Sequence, residues 1–88
     1  GEIIETTTYV NGLKQGNSYY YAPNGVKLKE LSYNKDLLDG PASYYSHKGT
    51  LTMKGDYKNG AHYGVWNYYK DGKFIFSETF PDPENKNK

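Results

Sequence analysis

The chain has no cysteine and no arginine among its 88 residues, and methionine and tryptophan occur once each. Without cysteine there is neither a disulfide framework nor a thiolate metal site, although this absence alone does not fix a compartment. Eleven lysines stand against ten acids, for a net charge of +1. The clustered positive charge and bidentate arginines of a nucleic-acid footprint are therefore missing. No apolar run approaches the roughly 18 residues of a membrane-spanning helix, so no membrane span is expected. Hydrophobic residues make up only 35% of the chain, too few for a conventional thick core in a domain this small. What the chain has instead is rings. Eleven tyrosines, three phenylalanines and the single tryptophan supply 17% of it, and tyrosine suits a half-wet site because its ring packs while its hydroxyl stays hydrated.

The rings recur at a fixed interval. Tyr9, Tyr33, Tyr57 and Phe80 lie about 24 residues apart, and each of the three tyrosines is followed by a glycine (Gly16, Gly40, Gly64), a tyrosine pair and a second glycine (Gly25, Gly49, Gly72). Self-similarity of this length marks a stacked array, in which one unit cannot bury its apolar face alone and its neighbours supply the missing contacts. The units are read as a partial one over residues 1–8 and full ones over about 9–32, 33–56 and 57–80, followed by a flexible polar tail over 81–88. Gly1 precedes Tyr9 as Gly25 precedes Tyr33; either it matches the pattern by coincidence or longer sequence lies upstream.

The fold class expected is all-β: an antiparallel meander of repeated β-hairpins, about seven strands, forming a single elongated twisted sheet. Short aromatic strands are predicted over 17–22, 41–46 and 65–70. Asn24-Gly25 and Asp71-Gly72 are hairpin signals, because both residue types tolerate positive φ; His47, Lys48 and Gly49 fill the same place in the middle unit. The third unit is one residue shorter here, which predicts a two-residue turn where the others use three. Alternation puts Leu51, Met53 and Tyr57 on one face, and Phe74, Phe76 and Phe80 likewise. Val26, Leu28, Leu31 and Tyr33 do not share one parity, which predicts a bulge or a different facing in that hairpin.

The motif Gly64-Val65-Trp66-Asn67-Tyr68-Tyr69-Lys70-Asp71-Gly72, with Gly40 to Gly49 around Tyr44 and Tyr45 and Gly16 to Gly25 around Tyr20 and Tyr21, resembles the MORN-repeat variants of bacterial proteins. The resemblance spans roughly residues 1–80, although only Trp66 fills the tryptophan position, where the other units carry Ser18 and Ala42. It implies a rod-like array of β-hairpins that mediates protein association or membrane contact, often beside a catalytic domain, and it transfers no catalytic residue. Many members are exported and some are labelled antitoxin-like, so an extracytoplasmic or cell-surface setting is favoured over the cytoplasm. A second resemblance, to choline-binding cell-wall repeats with their aromatic cages, fits less well, because those repeats are nearer twenty residues and use more tryptophan.

Adjacent tyrosines in a strand point to opposite faces. With the turns as assigned, Tyr45 faces Leu51 and Tyr69 faces Phe74, on the more apolar face. Tyr20, Tyr44, Tyr68 and Trp66 then form the candidate interaction surface on the other. Equivalent rings recur at every second strand, about 10 Å apart, a spacing open to sugar rings, an extended peptide or a partner's sheet. A one-residue shift in a turn exchanges the faces, and tyrosines that merely cover a thin sheet are the structural alternative.

Other motifs offer less. The glycines serve turns rather than phosphate binding, since none precedes a helix. His47 and His62 sit in predicted turns without further ligands, so no metal site and no cofactor are expected. Asp39 and Asp71 read as turn formers. Lys27 and Lys29, near Lys14 and Lys35, form a basic spot that Glu30 and Asp36 dilute. No nucleophile, base and orienting group converge. The expectation is a non-enzymatic repeat scaffold for protein–protein interaction or self-association through an aromatic sheet face; the alternative is a cell-wall glycan or membrane-headgroup module using the same rings.

Overall fold

The glycine signals become turns, and the turns set a meander. A computed structural model describes residues 3–84, so Gly1 and the tail beyond Glu84 lie outside the described residues. The strands are β1 (Ile4–Val10), β2 (Leu13–Tyr21), β3 (Lys27–Asn34), β4 (Leu37–Leu38), β5 (Gly40–Tyr45), β6 (Leu51–Lys58), β7 (Ala61–Lys70) and β8 (Lys73–Phe80). They form one antiparallel sheet in the order β1-β2-β3-β5-β6-β7-β8, and the two-residue β4, pairing with β3, is the strand beyond the seven expected. Stacked sheets need about 10 Å between them. The molecule measures 46 × 40 × 15 Å, so the sheet is a single layer.

Four turns join strands through two residues that both have positive φ: Asn11 and Gly12, Lys35 and Asp36, Asn59 and Gly60, and Asp71 (53°) and Gly72 (79°). These are the dihedral signs of a primed turn, whose twist matches that of the flanking strands. The other two tips hold three residues, closed by the Ala22 amide donating to the Val26 carbonyl and the Ser46 amide donating to the Thr50 carbonyl, each at 2.8 Å. The difference in turn length read from the sequence is thus present. Lys35 and Asp36 are left-handed without a glycine, and the neighbouring unit holds them. The Asp36 amide donates to the Lys14 carbonyl at 3.0 Å, and the Lys14 amide donates to the Asp36 carboxylate at 2.6 Å. One repeat later the Gly60 amide donates to the Leu38 carbonyl at 2.7 Å. Each turn is docked on the unit before it.

Two irregularities recur. Where β1 meets β2, the register slips between the pairs Thr7↔Ser18 and Tyr9↔Lys14. Gly16 fills the slack with φ 88°, as Gly40 does at 109° and Gly64 at 72°, conformations that side chains resist. Near the tips, Tyr20↔Lys29 gives way to Tyr21↔Lys27, Tyr44↔Met53 to Tyr45↔Leu51, and Tyr68↔Phe76 to Tyr69↔Phe74. Leu28, Thr52 and Ile75 are the extra residues, so all three hairpins carry the bulge foreseen only in the first. A bulge interrupts strict alternation. Leu51 and Met53 therefore lie on opposite faces, as do Phe74 and Phe76, which corrects the parity expected of them.

The core is a stripe across one face, here called the packed face. Its centre is a repeated cross-strand contact: Thr7 with Ser18, Leu31 with Ala42, and Gly55 with Trp66. Leu31, Ala42 and Trp66 are buried together, with Tyr20, Tyr33, Leu38, Tyr44, Met53, Tyr57, Tyr68 and Phe80 packed around them. Beyond β8, the Lys58 ammonium pairs with Asp82 at 3.1 Å and Glu84 at 3.9 Å, which ties the first residues of the expected tail to the sheet.

Candidate interaction surface

The four predicted surface residues come together on the packed face, but not as equals. Tyr20, Tyr44 and Tyr68 are half-buried, whereas Trp66 is 0% exposed. Its indole lies flat over Gly55, where an added Cβ would stand 2.2 Å from the ring. Its N–H donates to the Asp56 carbonyl at 2.9 Å. Tyr57 meets it edge-on at 5.1 Å, Phe80 edge-on at 6.5 Å and Tyr44 tilted at 6.4 Å. The expectation of an exposed Trp66 is corrected: the glycine opposite creates a slot one ring deep, and the tyrosines close it.

The more apolar face is likewise the reverse of the one expected. The buried cluster gathers with Tyr44 and Tyr68, not with Tyr45 and Tyr69. Hydroxyl pairs bind successive units across the packed face, Tyr20 to Tyr33 at 3.4 Å and Tyr44 to Tyr57 at 2.8 Å; the Tyr68 hydroxyl donates to Glu78 at 3.0 Å. Burial, then the hydrogen bond from the partner tyrosine, raises the pKa of Tyr20 and of Tyr44 above the ordinary phenol value. Lys14, Leu38 and His62 share one repeat position. Lys14 reaches over the Tyr33 ring at 4.9 Å, Leu38 joins the core, and His62 stacks on Phe80 at 4.8 Å.

The opposite, open face carries Tyr45 and Tyr69, expected on the more apolar face, with Tyr21 at the matching position of the first unit. Tyr21, Tyr45 and Tyr69 are half-buried and fall at every second strand. Lys27 lies 5.4 Å from the Tyr19 ring centre and 6.0 Å from that of Tyr45, and it pairs with Glu30. That hydrogen bond to Glu30 raises the Lys27 pKa. This face also carries polar pairs: Ser32 donates to Asn17 at 3.2 Å, and Ser77 donates to Asn67 at 2.6 Å. Lys29 instead sits on the packed face, 4.7 Å from the Tyr20 ring centre, so the bulge at Leu28 divides the basic spot suggested by Lys27 and Lys29.

The largest exposed apolar run is at one end of the sheet. Phe74 is 59% exposed, Ile75 52% and Phe76 52%. Phe76 stacks on Tyr68 at 4.6 Å, which makes the end of the packed face continuous with the edge strand. The signal for this patch was already present in Phe74-Ile75-Phe76. The other edge exposes Ile4, Tyr9 and Val10. His47 lies at the second tip and His62 in the aromatic cluster, and among the described residues no group of three histidines, cysteines or acids comes together. No helix there is long and apolar enough to cross a membrane. No family model, no curated protein and no solved structure matches this chain.

Proposed function

We propose that the chain is a non-enzymatic scaffold of the MORN-repeat type that associates with a protein partner or with a second copy of itself. The exposed run Phe74, Ile75 and Phe76 on edge strand β8 carries this reading. Large exposed apolar side chains mark interaction sites, here Phe74 on one face of the edge strand and Phe76 on the other, and an edge strand offers unpaired backbone groups to an incoming strand. Tyr68 and Phe76, stacked at the end of the packed face, supply the aromatic anchor such an interface needs. The measurement that tests self-association is solution mass by light scattering over a concentration series, wild type beside Phe76→Ser. A concentration-dependent dimer that the substitution abolishes is expected; a monomer in both removes the second copy as partner. Trp66→Ala is the wrong probe, because it empties the core.

A second reading, binding of glycan or headgroup, is favoured by the half-buried row Tyr21, Tyr45 and Tyr69 on the open face. Rings at about 10 Å intervals along a sheet suit a ligand that repeats. The surface for this reading is the second tyrosine of each pair rather than Tyr20, Tyr44 and Tyr68.

A further inference from the structure

Two grooves separate the three hairpin tips, and they differ in chemistry at matching positions. The first is built on Ala22, Val26 and Leu28, and Val26 closes it: its Cγ1 comes within 3.7 Å of where a Cβ on Gly49 would stand. One repeat on, the corresponding residues are Ser46, Thr50 and Thr52. Each apolar residue has become a hydroxyl residue, and Val26 has become its near-isostere Thr50. The opposing wall also changes, because the third tip is a two-residue turn and stands lower than the three-residue second tip. Between them opens a cavity of about 430 Å³ walled by Thr50, Thr52 and the ring of Tyr69 and rimmed by Lys48 and Lys70, within the range of small-molecule sites.

We propose that this groove between the second and third tips binds an acidic sugar, an inference that rests on the glycan reading above. The Tyr69 ring offers a flat apolar surface to the C–H face of a pyranose. The hydroxyls are already oriented by the protein. Thr52 donates to the Tyr44 carbonyl at 3.1 Å, and Ser46 Oγ shares a hydrogen bond with Thr50 Oγ1 at 2.8 Å while accepting from the Lys48 amide at 3.1 Å. Thr52 Oγ1 thus keeps acceptor capacity for a ligand that brings its own O–H donors. Lys48 and Lys70 outnumber the one acid present, Asp71, so the rim favours a carboxylate on the ring. Asp71 is placed to accept from a sugar hydroxyl. The first groove, with Ala22, Val26 and Leu28, has none of these hydroxyls.

The test is amide NMR titration of the intact chain with glucuronate, with glucose and inorganic phosphate as comparisons. Saturable shifts from glucuronate confined to Ser46–Thr52 and Tyr69–Asp71, larger than those from either comparison, are expected. Thr50→Val, which restores the chemistry of the first groove without changing shape, should weaken binding about fivefold, and Lys70→Gln about tenfold. A galacturonate trimer beside the monomer tells a wall polymer from a free sugar acid, and tighter binding of either supports the site. Phosphate shifts equal to those of glucuronate overturn the sugar assignment. Sugar shifts that map elsewhere, or that ignore both substitutions, overturn the groove and leave the glycan reading standing. No shift with any sugar removes both.

Discussion

The β3–β5 and β6–β7 junctions occupy the same place in successive repeats and fill it in opposite ways. At the first, Leu31 provides the bulk and Ala42 the space; at the second, Gly55 provides the space and Trp66 the bulk. The third member, Thr7 with Ser18, is a hydrogen-bonded pair of small hydroxyls at 2.8 Å. What recurs between these two junctions is a large side chain set against a small one, not the residue at either position, and Thr7 with Ser18 replaces that pairing by a hydrogen bond. In a single-layer sheet such a pair cannot borrow volume from a second layer, so an unmatched change at one side has nowhere to relax.

The comparison breaks most severely at its larger partner. Trp66→Ala should cost about 3–5 kcal/mol in chemical unfolding, and Leu31→Ala about 2–4 kcal/mol, since the smaller side chain leaves the smaller cavity. An equal or reversed ranking would show that the two junctions are not the same device. Gly55→Ala comes next, at about 1–3 kcal/mol from overpacking. Its sharper form is a cycle in which Gly55→Leu is combined with Trp66→Ala, transplanting the Leu31–Ala42 pair. Coupling of at least about 1 kcal/mol between the two substitutions is expected. Additivity would falsify the large-against-small pairing.

The hydroxyl pairs extend the comparison at smaller magnitude. Tyr44→Phe removes a 2.8 Å bond and Tyr20→Phe a 3.4 Å one, so the first should cost about 1 kcal/mol and the second less. Both phenols have folded-state pKa values raised above the ordinary 10.0, by burial first and the tyrosine partner second. The unfolded chain then releases these protons more readily. Their contribution is whole below about pH 10 and fades as pH rises toward the folded values. Unfolding midpoints measured from neutral to strongly alkaline pH should fall above about pH 10, with a shallower fall in Tyr44→Phe.

The smallest effect lies beyond β8. The Glu84 amide and the Lys58 ammonium hold Asp82 below its ordinary value of 3.8. The contact is present above that value and is lost as pH falls through the lower folded one. Carboxyl NMR titration should place the Asp82 midpoint below 3.8; an unshifted midpoint would detach the segment from the sheet.

Much of this fold is legible in the chain because turns are local. Asp71-Gly72 declares its backbone and Asn24-Gly25 its tip, although there only Gly25 takes the positive φ, and the missing residue at the third tip declares its length. The facing of the rings is not local. It depends on the extra residues Leu28, Thr52 and Ile75, each of which resets the alternation within its strand. The burial of Trp66 depends on a glycine eleven residues away that becomes its neighbour only when β6 and β7 pair. A lone tryptophan in a tyrosine-rich strand reads as a surface anchor until Gly55 is seen beneath it. The tip groove was concealed differently: its residues look like ordinary turn chemistry, and the site emerges only when the two tips are aligned position by position.

A sheet 15 Å thick has no inside reached by depth, only one reached by breadth. For a backbone amide in β5 or β6, shelter is counted in strands to left and right, so protection from hydrogen exchange should fall stepwise toward β1 and β8 rather than radially from a centre. A partner that pairs with either edge would then leave its signature several strands away, as slowed exchange in residues it never touches.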